Sequence, residues 1–178
     1  MNELDNNTNS EWFAIRTKQD FKAEELLRPL CDDVFFPKET RKTAGKRLRK
    51  RAVIPHVLFI KTTRKKALEL EKEGRKISDV PVSFWIYRYP NSDEIQSIHE
   101  KYIDLLRLIT AEDTSKCEIF NKEVFVGKEH VRITDGIFKG YEGYVERVKK
   151  NYHVIVKVEG VCLVMLPYIH PDLLEKID

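Results

Sequence analysis

Short apolar runs of strand length alternate along the chain with a few stretches whose apolar residues recur at helical spacing, a pattern that predicts a mixed α+β protein. Trp12-Phe13-Ala14-Ile15 reads as a first strand. Asp20 is a candidate cap for a helix carrying Ala23, Leu26, Leu27 and Leu30, which Pro29 should end early. Val34-Phe35-Phe36 is a second strand stopped by Pro37. Residues 53–60 form an apolar run rich in β-branched and aromatic side chains, too short for a helix and suited to a central buried strand entered at Pro55. Thr63 caps a helix that runs to Glu73 and stops at Gly74. Residues 82–87 make another strand, and Ser92 caps a longer helix bearing Ile95, Ile98, Tyr102, Leu105, Leu106 and Ile109.

Beyond this point the composition shifts. Residues 110–116 are small and polar, and five of the seven glycines lie at or after Gly127. Strand-length segments at 131–133, 144–148, 152–158 and 161–166 are separated by Gly136, by Lys149-Lys150-Asn151 and by Glu159-Gly160. About fifty residues of short strands bury enough surface by curling into a small barrel. The expected organisation is a flexible Asn-rich tail at 1–10, an antiparallel sheet flanked by helices at 11–110, a linker at 111–121 and an SH3-like β-barrel at 122–178.

Charge alters the picture locally more than globally. There are 32 Lys+Arg against 29 Asp+Glu, a net charge of only +3, so attraction to nucleic acid must come from clustering. Residues 38–51 supply the cluster: eight Lys/Arg with one acid, Glu39, and Gly45 as a turn signal. Such a loop has two readings, a hairpin kept soluble by its charge or a phosphate-binding arm whose affinity falls with salt. No aromatic residue interleaves the run, so base stacking there is not expected.

Little in the chain suggests catalysis. His56, His99, His130, His153 and His170 are dispersed, without metal-binding or nucleophile-activating spacing, and Asp135 beside Gly136 reads as a turn residue. Cys31, Cys117 and Cys162 lack any paired spacing and read as reduced, half-buried thiols. No metal or cofactor is expected. The absence of a basic-then-apolar opening and of any long apolar stretch predicts a cytoplasmic protein, monomeric and without a membrane role.

The segment Val131-Arg132-Ile133-Thr134-Asp135-Gly136-Ile137-Phe138-Lys139-Gly140-Tyr141-Glu142-Gly143-Tyr144-Val145 has a mechanical reading of its own. Gly136 follows Asp135 where the chain reverses, Gly140 and Gly143 permit positive φ or close backbone approach, and Phe138 is an apolar plug folding back on the barrel. The segment resembles the KOW motif of NusG-family elongation factors and of certain ribosomal proteins, with Gly136, Phe138, Gly140 and Gly143 as its key positions and Gly143 matching the family's characteristic glycine. Trp12-Phe13-Ala14-Ile15, Phe36-Pro37 and Ile54-Pro55-His56-Val57-Leu58-Phe59-Ile60 after a basic loop resemble the NusG N-terminal (NGN) domain in order and spacing, the last run being most similar to the specialised RfaH-like branch. Val57 stands where the family usually has tyrosine, and His56 where glycine or asparagine is common.

The resemblance, over residues 11–178, implies a transcription elongation or antitermination factor, not an enzyme. It implies that Ile54, Pro55, Val57 and Phe59, with Phe84 and Trp85 from a neighbouring strand, dock on the clamp helices of RNA polymerase. The alternation of a strand puts Val57 and Phe59 on one face and Leu58 and Ile60 on the other, so one of the two pairs is plain core. The basic loop, through Arg41, Lys42, Lys46 and Arg47 with Lys18 and Lys22 from the first helix region, is implied to meet DNA or RNA of the elongation complex. The KOW domain is implied to recruit a small-subunit ribosomal protein or Rho, and the whole to serve few operons, such as surface-polysaccharide clusters. The alternative is a KOW-containing RNA-binding module of ribosome or RNA metabolism.

Overall fold

A computed structural model of the chain describes residues 9–42, 48–74, 82–111, 117–120, 129–148, 150–158 and 160–177. Most of the predicted tail and linker, together with Gly45, Lys46 and Arg47, lies outside the described residues. The chain divides into two compact units, Met1–Thr110 and Ala111–Asp178, both built on antiparallel sheets. No helix among the described residues is long and apolar enough to cross a membrane.

In unit 1 the elements run β1 (Ser10–Thr17), α1 (Asp20–Leu27), β2 (Asp33–Phe35), β3 (Lys38–Lys42), β4 (Leu48–Ala52), β5 (Val57–Thr63), α2 (Arg64–Glu73), β6 (Phe84–Ile86), β7 (Ser97–Ile98) and α3 (Glu100–Thr110). The main sheet has the order β2-β5-β1-β6, with β7 also paired to β1, while β3 and β4 form a separate hairpin. The β1–β5 ladder is the longest, from Ser10 opposite Thr63 to Arg16 opposite Val57. Because facing residues share a side, Phe13, Ile15, Leu58 and Ile60 point together into a core completed by Ala23 and Leu27 of α1, by Ala67 and Leu70 of α2, and by Phe84 and Ile86. The opposite side carries Trp12, Ala14, Arg16, Val57, Phe59 and Lys61. There α3 covers one end: the Arg107 guanidinium lies 5.4 Å from the Trp12 ring and 5.5 Å from Phe35, bonds Asp33 at 2.7 Å, and Lys61 reaches Glu100 at 3.1 Å.

Thr63 caps α2, its hydroxyl accepting from the Lys66 amide, and Gly74 follows the last helical turn. Three expectations are corrected. The central strand begins at Val57 and continues to Thr63, because Ile54, Pro55 and His56 are consumed in a turn in which His56 has φ +67°. Asp20 opens α1 without capping it; its carboxylate instead accepts from the His56 amide at 3.1 Å. The last helix starts at Glu100, since Ile95 bridges Arg88 and Ser97–Ile98 pair with β1, while the Ser92 hydroxyl accepts from Glu94 in a turn. A third neighbour for β1 outcompetes the helical spacing of Ile95 and Ile98.

Unit 2 contains β8 (Glu118–Phe120), β9 (Glu129–Ile133), β10 (Glu142–Val148), β11 (Asn151–Val158), β12 (Cys162–Met165), a 3-10 turn (Pro171–Leu173) and β13 (Leu174–Lys176). They pair in the order β13-β9-β10-β11-β12-β8. Among the described residues no pair joins β13 to β8. All four residues of β12 are buried, and Ile155, Leu163 and Met165 form a cluster on one side of the sheet.

Between β9 and β10 the chain doubles back through two glycines with φ of +84° (Gly136) and +85° (Gly140), and the Gly140 amide returns to the Ile133 carbonyl at 2.8 Å. Phe138 between them is buried. Gly143 answers to a different constraint: a Cβ there would stand 2.5 Å from the Ile155 carbonyl oxygen, inside backbone that cannot give way. Gly143→Ala is therefore expected to destabilise unit 2 by about 3 kcal/mol or more, whereas Gly136→Ala and Gly140→Ala, with open space around them, should cost about 1–2 kcal/mol each from backbone strain. Urea unfolding followed by circular dichroism measures this; equal losses at all three would show that crowding is not what selects Gly143.

Candidate functional site

Along β1 the covered end of the sheet gives way to an open one. Trp12 to Ile15 are buried on both faces, then Arg16 emerges into solvent while Thr17 turns back to the core and bonds the Ser83 carbonyl. Arg16 pairs with Trp85 of β6, so the two side chains stand on the same face; Trp85 is 53% exposed. Arg16, Thr17, Lys18, His56 and Trp85 line a depression of about 650 Å³.

The turn before β5 sets one wall of it. The Thr17 amide donates to the His56 carbonyl at 3.0 Å, and the Asp20 carboxylate takes the His56 amide while facing its Nδ1 at 3.2 Å. These bonds hold His56 in the left-handed region, at φ +67°. Sequence reasoning passed over Arg16 and treated His56 as one dispersed histidine. The signal available was a lone arginine directly after four buried residues of a strand.

The residues singled out for polymerase docking part company. Ile54 and Phe59 are fully buried, and Val57 and Phe84 are each 4% exposed. These four lie in the interior: Phe59 stacks on Phe35 with centroids 6.1 Å apart, beneath the end of the sheet that α3 covers, and Phe84 faces the α1/α2 core. Pro55 and Trp85 are exposed. Val57 and Phe59 thus belong to a second core layer, and neither face of β5 is free.

The basic run is a hairpin. Arg41 stands opposite Arg49 and Thr40 opposite Lys50 in the β3–β4 register, and Arg49, Lys50 and Arg51 are exposed. In the same register Glu39 stands opposite Arg51. At its root, Lys38 departs from the set: its ammonium bonds both oxygens of Glu24 at 2.8 and 2.7 Å, beside Arg28 at 2.7 Å, and sits 5.3 Å from the Phe36 ring. Lys46 and Arg47 lie outside the described residues. Lys18 is exposed and lies in the depression, and Lys22 is half-buried on α1.

In unit 2 a groove of about 780 Å³ runs past Tyr152, Tyr168, Arg147 and Pro171, with Arg147 6.0 Å from the Tyr152 ring. Burial pushes the Cys31 and Cys117 thiols up to about 11 and the Cys162 thiol up to about 12, which leaves all three protonated at neutral pH. Cys162 is buried outright rather than half-buried. Among the described residues no group of three or more His, Cys, Asp or Glu is arranged to hold a metal.

No protein family and no curated protein matches the chain. Among solved structures, the crystal structure of the MjSpt4:Spt5 complex in conformation B is similar over 94% of this chain and 97% of that chain, at 17% identity and a TM-score of 0.30.

Burial separates two substitutions that the sequence alone treats alike. Phe59→Ala should cost unit 1 about 3–5 kcal/mol, and any loss of binding it shows would follow from unfolding. Trp85→Ala should leave stability within about 0.5 kcal/mol. Thermal unfolding of the two variants checks both, and a large loss from Trp85→Ala would mean the indole is part of the core.

Proposed function

We propose that this chain is a transcription elongation and antitermination factor of the NusG type, not an enzyme, whose N-terminal unit binds RNA polymerase and nucleic acid and whose C-terminal unit recruits a partner. The observation that supports it most is the hairpin of β3 and β4, a basic arm whose root is fixed to α1 through Lys38 and Glu24 while Arg49, Lys50 and Arg51 stay in solvent. Three consecutive exposed cations on one strand offer a polyanion a salt-sensitive contact. The glycine-dependent reversal from Gly136 to Gly143 agrees with the KOW reading of unit 2 and with a barrel as its form. Docking on the clamp helices falls to the exposed surface of unit 1, with Pro55 at the turn before β5. Recruitment of a small-subunit ribosomal protein or of Rho, and service to a few operons, remain parts of the proposal that come from the resemblance.

A second reading, an RNA-binding module independent of polymerase, is favoured by the groove of unit 2, where Tyr152, Tyr168 and Arg147 combine aromatic faces with a cation. One experiment separates the two. Under the elongation-factor reading core polymerase is retained by the full chain and by a chain lacking residues 120–178; under the second, neither retains it and RNA affinity is lost with the deletion. The hairpin has its own test. Changing Arg41, Lys42, Lys46 and Arg47 together to Ala should weaken DNA binding and reduce the slope of log affinity against log salt by up to about 3.6, and an unchanged slope would remove the hairpin from the nucleic-acid interface.

A further inference from the structure

Unit 2 carries two exposed aromatic side chains beside one groove. Tyr152 and Tyr168 are 58% and 57% exposed, and with Pro171 they wall the cavity of about 780 Å³. Strand pairing fixes where it lies. Glu129 opens β9, Arg147 is near the end of β10 and Tyr152 near the start of β11, so the groove sits at the opposite end of the β9–β10 ladder from the reversal at Gly136 and Gly140. Its other wall follows β12, where Pro171 opens the 3-10 turn that leads into β13.

The polar groups left uncommitted narrow the occupant. Lys176 and Glu129 neutralise each other at 2.8 Å, and the His153 Nδ1 faces the Leu166 carbonyl at 3.0 Å. Arg147 stands opposite Tyr152 in the register, 6.0 Å from its ring, and among the described residues no acid pairs with it. Glu146 alternates to the other side of β10, opposite His153. Two phenolic hydroxyls and a guanidinium therefore offer donors in excess. A peptide suited to them presents carbonyl acceptors with few N–H groups to strip of water, and proline has a carbonyl and no amide hydrogen.

We propose that this groove binds an extended, proline-rich protein segment carrying an acidic residue. Its proline rings lie on the faces of Tyr152 and Tyr168, the two hydroxyls donate to its carbonyls, and its acid meets Arg147. Such a segment is already extended in a polyproline II helix before it docks, so binding costs little ordering. RNA suits the groove less well, because a run of phosphates needs several open cations and would pass the carboxylates of Glu129 and Glu146. The assignment rests on the reading of unit 2 as a recruiting domain and names the chemistry of what it recruits.

Three labelled peptides test it: an oligoproline ending in aspartates, an oligoproline ending in lysines, and a Gly-Ser repeat ending in aspartates. Each is titrated into the full-length chain by fluorescence anisotropy, and the site is read from amide NMR shifts of the isotope-labelled protein. The aspartate-terminated oligoproline should bind most tightly and move the amides of Arg147, Tyr152 and Tyr168 while leaving Gly136 and Gly140 in place. Tyr152→Ala and Tyr168→Ala, both at exposed positions, should each weaken it about tenfold. Arg147→Glu should reverse the preference in favour of the lysine-terminated peptide, a readout that survives if a tyrosine variant loses structure.

Absence of oligoproline binding, equal binding of the Gly-Ser peptide, or shifts centred on Gly136 and Gly140 would overturn the proposal. An unreversed preference in Arg147→Glu would do the same. So would an oligouridylate that moved the same amides and bound more tightly, which would give the groove to RNA. Retention of polymerase by the chain lacking residues 120–178 is measured apart from these titrations, so a failure at the groove leaves the elongation-factor reading to its own test.

Discussion

The register between β1 and β5 is the constraint on which unit 1 depends. Both strands are buried on their two faces over most of their length, so a slip of one residue would turn one strand over, replacing Leu58 and Ile60 by Val57, Phe59 and Lys61, or Phe13 and Ile15 by Trp12, Ala14 and Arg16, and would drive a cation into the α1/α2 core. The turn before β5 pins that register: Thr17 bonds the His56 carbonyl and Asp20 takes the His56 amide. The strain of a positive φ at His56 is thus tolerated because it starts the ladder at the correct residue. On its other edge β1 pairs with β6, and that register puts Arg16 beside Trp85 at the open depression.

Local signals in the sequence carried through to structure where the deciding interaction was itself local. Thr63 reaches an amide three residues on, and Pro29 ends α1 by its own geometry. The spacing of Gly136, Gly140 and Gly143 encodes a reversal completed within fifteen residues. Signals failed where a distant partner decided. Ile95 and Ile98 have helical spacing with later residues, but β1 offers backbone partners and takes Ile98 into a strand. Asp20 looks like a cap from its neighbours, but His56, thirty-six residues away, claims it.

The residues expected to face a partner show the same limit in sharper form. A continuous apolar run marks a strand buried on both faces but does not say what covers each face, and here α3 covers the second. Arg107, pinned to Asp33 and lying over Trp12 and Phe35, seals the side that carries Phe59. Between Phe84 and Trp85 the sequence offered no choice, because adjacent strand residues point in opposite directions and the reference face was unknown. Pairing of Thr17 with Phe84 and of Arg16 with Trp85 decides it: Phe84 goes to the core and Trp85 to solvent.

Net charge conceals how the cations are deployed. Lys38, Lys61, Arg64, Arg88 and Arg107 are all ion-paired to acids and tie elements of unit 1 together. Each belongs to the fold, and the hydrogen bonds that Arg88 donates to the Glu71 carboxylate push its guanidinium pKa further up. Other cations stay exposed on both units, among them Arg49, Lys50 and Arg51 on the hairpin and Arg16 and Lys18 at the open end of the sheet. Under the proposed function the hairpin group is the one that meets nucleic acid, because three exposed cations follow one another on a single strand there.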